Sequence, residues 1–134
     1  MVAVREIRGV QADLEAKLVG MGIKDSDQFL AHAATPAQRR ELAAKLGVDQ
    51  KVVLELANRA DLIRIKGIGE VFSNLLEEAG VDTVKELAAR VPANLQAKLA
   101  QVNAEKKLAN RAPTLEQVTD WVSEAKSLPK VLEY

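Results

Sequence analysis

Ile65-Lys66-Gly67-Ile68-Gly69 decides how this chain is read, because the stretch and its surroundings recur near the N-terminus. Downstream of it come Ala79-Gly80-Val81 and then Asp82-Thr83-Val84-Lys85-Glu86-Leu87. Fifty-eight positions earlier stand Ile7-Arg8-Gly9-Val10-Gln11, then Met21-Gly22-Ile23, then Lys24-Asp25-Ser26-Asp27-Gln28-Phe29. Gly9 matches Gly67, Leu18 matches Leu76 and Gly22 matches Gly80, with no gap between them. A repeat of this kind means one supersecondary unit used twice.

The Gly-hydrophobe-Gly turn points to a helix-hairpin-helix unit, a tight turn between two short helices. Its glycines let the backbone adopt positive φ or approach a ligand closely. Ile68 is expected to tuck inward and hold the two helices together. Free N–H groups at the start of the next helix, around residues 69–71, then face outward at the positive end of the helix dipole, where a phosphate fits. Glu70 works against that, since a carboxylate beside the turn repels phosphate, and Glu77, Glu78 and Asp82 follow. In the first copy Gln11 replaces the second glycine, which leaves that hairpin open to a purely structural reading.

The bulk numbers narrow the class. A chain of 134 residues fits one domain with a real core. Aromatics make up only 3%, so Ala and Leu supply most of that core and close-packed helices are favoured over a sheet. Without cysteine there is neither a disulfide nor a thiolate metal site, and with one histidine a zinc site is not expected. No cofactor is expected. Charge balances overall and locally, with 9 Lys/Arg against 9 Asp/Glu in residues 1–61 and 10 against 10 in residues 62–134. That balance opposes strong electrostatic affinity for nucleic acid. No apolar run reaches the ~20 residues of a membrane helix, and no signal-peptide core is visible, so a cytoplasmic location is the expectation.

Capping signals divide the chain into about ten short helices, near residues 2–8, 11–21, 26–33, 36–46, 50–64, 70–79, 84–90, 94–102, 104–111 and 115–127. Asp25-x-x-Gln28, Thr35-Pro36-Ala37-Gln38, Thr83-x-x-Glu86 and Thr114-x-x-Gln117 each resemble a capping box. Gly22, Gly47 and Gly80 stand where left-handed helix stops are expected. Residues 35–47 recur at 92–103, and Val52–Leu62 resembles Val118–Leu128 once about eight residues are inserted around 103–113. The predicted architecture is all-α: tandem helix-hairpin-helix units with additional packing helices, pseudo-twofold, in one body. Residues 1–61 form the degenerate half and residues 62–134 the well-formed half.

Candidate binding residues cluster at the turns. Arg64, Lys66, Arg8 and Arg5 could supply favourable charge, although exposed solvated side chains are the ordinary state of such residues. Arg39-Arg40 and the group Lys98, Lys106, Lys107 and Arg111 are interleaved with Glu41 and Glu105 and read as solvated faces. No aromatics that could stack on bases accompany them. Trp121 reads as a core anchor. His32 reads as a helix C-terminal residue facing the dipole. No nucleophile–base–acid set and no phosphate loop with a following Lys-Ser or Lys-Thr is present, so an enzyme is not expected.

The stretch 58–87, together with Leu99, Lys106-Lys107-Leu108 and residues 118–128, resembles a bacterial family of tandem helix-hairpin-helix proteins catalogued as a domain of unknown function. The resemblance spans essentially the whole chain and implies an all-α fold with two hairpin units and no assigned catalytic residue. More distantly, the paired arrangement is similar to the double helix-hairpin-helix modules of DNA repair and recombination proteins. That similarity implies a phosphate-contacting set of Lys66, Gly67, Gly69 and the amide of Val71, with Arg8 and Gly9 in the first copy. Two functions follow as expectations. One is a non-catalytic module that binds duplex nucleic acid weakly, through backbone phosphate and without sequence preference. The other is a protein–protein interaction or scaffold module with structural hairpins. Neither a membrane nor a small-molecule substrate is expected as a partner.

Overall fold

Helix starts follow the capping chemistry written in the sequence. The computed structural model describes residues 2–134. Among them it forms α1 (Ala12–Gly20), α2 (Ser26–Ala31), α3 (Pro36–Leu46), α4 (Gln50–Ile63), α5 (Glu70–Glu78), α6 (Val84–Ala88), α7 (Pro92–Lys106) and α8 (Leu115–Ser127). A 3-10 turn, Val4–Glu6, precedes them. Asp25, Thr35, Asp49, Thr83 and Thr114 each accept a first-turn amide, which sets the starts of α2, α3, α4, α6 and α8. The reciprocal box closes at Thr35/Gln38 and Thr114/Gln117, whereas the Gln28 side chain reaches the Lys24 amide instead. The protein is all-helical. Strands are absent among the described residues, where the extended pairing amounts to an isolated bridge between Ala3 and Asp25. No helix is long and apolar enough to cross a membrane among those residues.

Three expected helices differ. The segment 2–8 shortens to Val4–Glu6. The expected pair at 94–102 and 104–111 is instead one helix, α7, which runs through to Lys106. It stops because Lys107 enters the left-handed region at φ +52°. Asn103 then clamps the irregular segment beyond, donating to the Ala109 carbonyl and accepting from its amide at 3.2 and 2.8 Å. Asn and Lys are ordinary helix residues, so nothing local in the sequence announces that stop.

The 58-residue repeat is carried by the backbone as well as by the sequence. The Val10 amide donates to the Ile7 carbonyl, and Ile68 donates to Ile65. Ile23 donates to Leu18 and Val81 to Leu76, while Gly22 donates to Val19 and Gly80 to Glu77. Gly22, Gly47 and Gly80 take the positive φ expected of helix stops. Packing recurs too: α1 meets α3 while α2 and α3 meet α4, and α5 meets α7 while α6 and α7 meet α8.

Apolar side chains collect into two clusters along these lines. One joins Ile7, Leu18, Ile23, Phe29, Leu46 and Leu56 among others, and the second joins Ile65, Leu75, Leu76, Leu87, Leu95 and Trp121 among others. Full burial of each such aliphatic side chain is worth roughly 2 kcal/mol. Trp121 is a core residue as read, 2% exposed, with its ring centroid 5.2 Å from that of Phe72.

The last residues tie the second cluster to the first. Leu132 is buried among the side chains of the first cluster, and the Glu133 amide donates to the Ala34 carbonyl. Arg39 corrects the reading of a solvated basic face. It is 4% exposed, and its guanidinium donates to the carbonyls of Ala33, Ala34 and Glu133. A planar fork of donors suits this task, because it satisfies several orphan carbonyls where α2 ends and the C-terminal segment lands.

Candidate functional site

Each repeat opens with the same turn. Ile7 and Val10 in the first copy, and Ile65 and Ile68 in the second, are buried and pin the turn to the core. Ile68 points inward as expected. The chain reverses at Gly9, with φ +101°, and at Gly67, with φ +90°. A Cβ on Gly67 would lie 3.1 Å from Trp121 Nε1, and one on Gly9 would lie 3.0 Å from Arg59 Nη1 and 3.1 Å from Leu56 Cδ2. Both turns therefore need glycine at that position, for backbone conformation and for space.

The second glycine of the motif has a different status. Gly69 is the N-cap of α5, in extended conformation at φ −116°, and a Cβ there would meet nothing within 4 Å. Gln11 caps α1 in the same way at φ −88°. Glutamine at this position thus leaves the turn intact. Gly69→Ser is expected to raise stability by a few tenths of a kcal/mol up to about 1, by adding a capping hydroxyl and stiffening the unfolded chain. Thermal melts of the two proteins would check this.

Helices α1 and α5 lack the side-chain caps found on α2, α3, α4, α6 and α8. Among the described residues no acceptor meets the amides of Gly9, Gln11 and Asp13, or those of Gly67, Gly69 and Val71. These two triplets correspond, and each combines one turn amide with amides of the following helix start. Val71 is itself 47% exposed. Partnerless amides at a helix start are the groups that an anion can meet.

The side chains named from the sequence fare differently. Arg64 is held inside the chain: its guanidinium donates to Asp61 Oδ1 at 2.8 Å and to the Pro129 carbonyl at 3.0 Å. Arg8 donates through Nη1 to Asn74 Oδ1 and to Glu78 Oε1 of α5. Lys106 reaches the other oxygen of Glu78 at 2.6 Å, and these two cations hold the Glu78 carboxyl below the usual range, Lys106 first. Arg5 and the Lys66 side chain are exposed, but the Lys66 amide donates to Glu124 Oε1 at 3.1 Å. Arg59, which sequence reasoning left unassigned, forms a two-bond pair with Glu77 at 2.6 and 2.8 Å and also donates to the Arg8 carbonyl at 2.7 Å.

Spacing alone could have suggested the Arg64 contact, since Asp61 lies three residues earlier on the same helical turn. The Arg8–Glu78, Arg59–Glu77 and Glu124–Lys66 contacts join residues far apart in sequence and carry no local signal. His32 caps α2 as read, with its Nδ1 2.9 Å from the Gln28 carbonyl.

No curated protein and no solved structure matches this chain. A family model described as "Domain of unknown function (DUF4332)" matches residues 8–128, which takes in both turns and every α-helix, and the chain belongs to that family.

Proposed function

We propose that this protein is a non-catalytic module of two helix-hairpin-helix units in pseudo-twofold arrangement, residues 1–61 and 62–134, that contacts the phosphate backbone of duplex nucleic acid. The observation that carries this reading is the repeated triplet of open amides, at Gly9, Gln11 and Asp13 and again at Gly67, Gly69 and Val71. Partnerless main-chain donors beside a helix N-terminus suit a phosphate oxygen. Such contacts position a protein on a duplex without reading its bases. Affinity is weak because the chain carries no net charge, and nonspecific binding comes mainly from phosphate neutralisation.

Fluorescence anisotropy with a short duplex tests the reading. Wild-type protein is expected to bind at low salt. Affinity should then fall with a log–log slope of about −2 to −3, the value for two or three phosphate contacts. Two duplexes of unrelated sequence should differ by no more than about twofold, since base edges are not contacted. A flat titration at low salt overturns the proposal.

One observation favours a second reading, in which the hairpins only pack helices and the module binds a protein. Arg8, Arg59, Arg64 and Lys106 all pair with carboxylates of the same chain. Absence of duplex binding would leave that reading in the lead.

A further inference from the structure

Residues 129–134 continue the second repeat in sequence but lie against the first. Helix α8 ends at Ser127, Leu128 is extended at φ −68° and ψ 135°, and Pro129 cannot continue a helix. Leu132 is then buried in the first apolar cluster, whose other buried members all lie within residues 4–63. The buried members of the second cluster lie within residues 62–125. Each repeat thus has its own core. Among the described residues, Leu132 is the one buried side chain from beyond α4 that enters the first.

The polar anchors of this strap also lie in the first repeat and in α4 with its cap. The Glu133 amide donates to the Ala34 carbonyl at 2.8 Å, and Tyr134 Oη donates to Asn58 Oδ1 at 2.7 Å. Arg64 donates to the Pro129 carbonyl at 3.0 Å. Arg39 donates through Nη2 to the Glu133 carbonyl at 2.6 Å, and its guanidinium carbon lies 5.9 Å from the Tyr134 ring centroid. Pro36 and Pro92 open α3 and α7, and three residues on stand Arg39 and Leu95. Leu95 is a fully buried core residue. The first repeat therefore departs from the second at the residue that receives the strap.

Little else holds the strap in place. Of the amides in residues 129–134, that of Glu133 alone has a partner among the described residues. Pro129, Lys130, Glu133 and Tyr134 are exposed. A cavity of about 350 Å³ lies between the strap and Asp61, Val84, Ala125 and Leu128, so close packing does not bind the strap to its own repeat. Elsewhere the repeats meet where α4 packs on α5 and α6, and through the pairs Arg59–Glu77 and Arg8–Glu78.

We propose that residues 129–134 are a clasp: closed, they hold the two repeats at one angle, and they open while both repeats remain folded. Opening gives up one buried side chain and a few hydrogen bonds, whereas global unfolding exposes two cores. With the clasp open, the repeats turn about the junction of α4 with α5, and the spacing between the two glycine turns changes. This holds whatever the turns bind.

Two measurements on the full chain test the clasp. In native-state hydrogen exchange the Glu133 amide should exchange at least about 100-fold faster than those of Leu56 and Leu99, with little dependence on urea. Leu132→Asp puts a carboxylate where an apolar side chain is buried, and should hold the clasp open. The chain has no cysteine, so Arg40→Cys and Lys98→Cys, exposed on the corresponding helices α3 and α7, take one spin label each. The distance distribution between the labels should be at least about twofold broader with Leu132→Asp than without it. Helix content and the protection of Leu99 should survive that substitution. Glu133 exchanging at the rate and urea dependence of Leu56 would show that the strap leaves only on global unfolding, and would overturn the proposal. An unchanged distance distribution in Leu132→Asp would overturn it as well, and so would loss of the helices in that variant.

Discussion

Arg64→Ala is expected to destabilise the protein by about 3 kcal/mol at neutral pH, the scale for removing one partner of a largely buried ion pair. The Asp61 and Arg64 side chains are 10% and 16% exposed, and Arg64 also satisfies the Pro129 carbonyl. Without Arg64, the Asp61 carboxylate remains desolvated with no counter-ion. Burial already raises the Asp61 pKa above its ordinary 3.8 despite the opposing pull of Arg64. The folded state therefore holds the Asp61 proton to a higher pH than the unfolded chain does. A carboxyl with a raised folded pKa is a burden above that pKa, and the burden lifts as pH falls through it. The loss caused by Arg64→Ala should accordingly be largest at pH 7 and shrink toward pH 4. Urea melts of both proteins across that range would check it, and a loss independent of pH would show that the Pro129 contact, rather than the uncompensated Asp61 charge, dominates.

Gly67→Val is expected to cost about 2–3 kcal/mol and to lower the melting temperature by roughly 10 °C. Two causes act together. The residue sits at φ +90°, where a β-branched side chain is strained. Its Cβ would also lie 3.1 Å from Trp121 Nε1, on a side chain that is fixed in the core against Phe72. Gln11→Ala, at a tolerant extended position, should change the melting temperature very little. Calorimetry on the two variants separates them. Gly9→Ala falls between, because alanine at φ +101° is strained but lacks the branched Cβ of valine, while its Cβ still meets Arg59 Nη1 at 3.0 Å and Leu56 Cδ2 at 3.1 Å.

Much of the helix layout was legible because it rests on local chemistry. An N-cap hydroxyl or carboxylate meets an amide two or three residues away, so Asp25, Thr35, Thr83 and Thr114 announce helix starts without any tertiary information. Glycines at fixed offsets likewise reported a repeat that the backbone hydrogen bonds reproduce. What the glycines could not report was their separate status. Gly9 and Gly67 are required by positive φ, while Gly69 occupies a conformation open to any residue. Gln11 stands at the extended N-cap position of Gly69, which does not require glycine.

The continuous α7, the buried Arg39 and the landing of the C-terminal segment lay beyond local reading for a common reason. Each is held by a side chain meeting the backbone of a segment that does not resemble it: Asn103 on Ala109, and Arg39 on Ala33, Ala34 and Glu133. The same holds for the charges at the turns. By itself the sequence determined the all-helical class, the 58-residue repeat and the glycine turns, since capping, periodicity and positive φ act over a few residues. Only the tertiary structure decided which charges face those turns. Glu78 reaches Arg8 across 70 positions and Glu124 reaches Lys66 across 58, and electrostatic pairing depends on distance in space rather than along the chain.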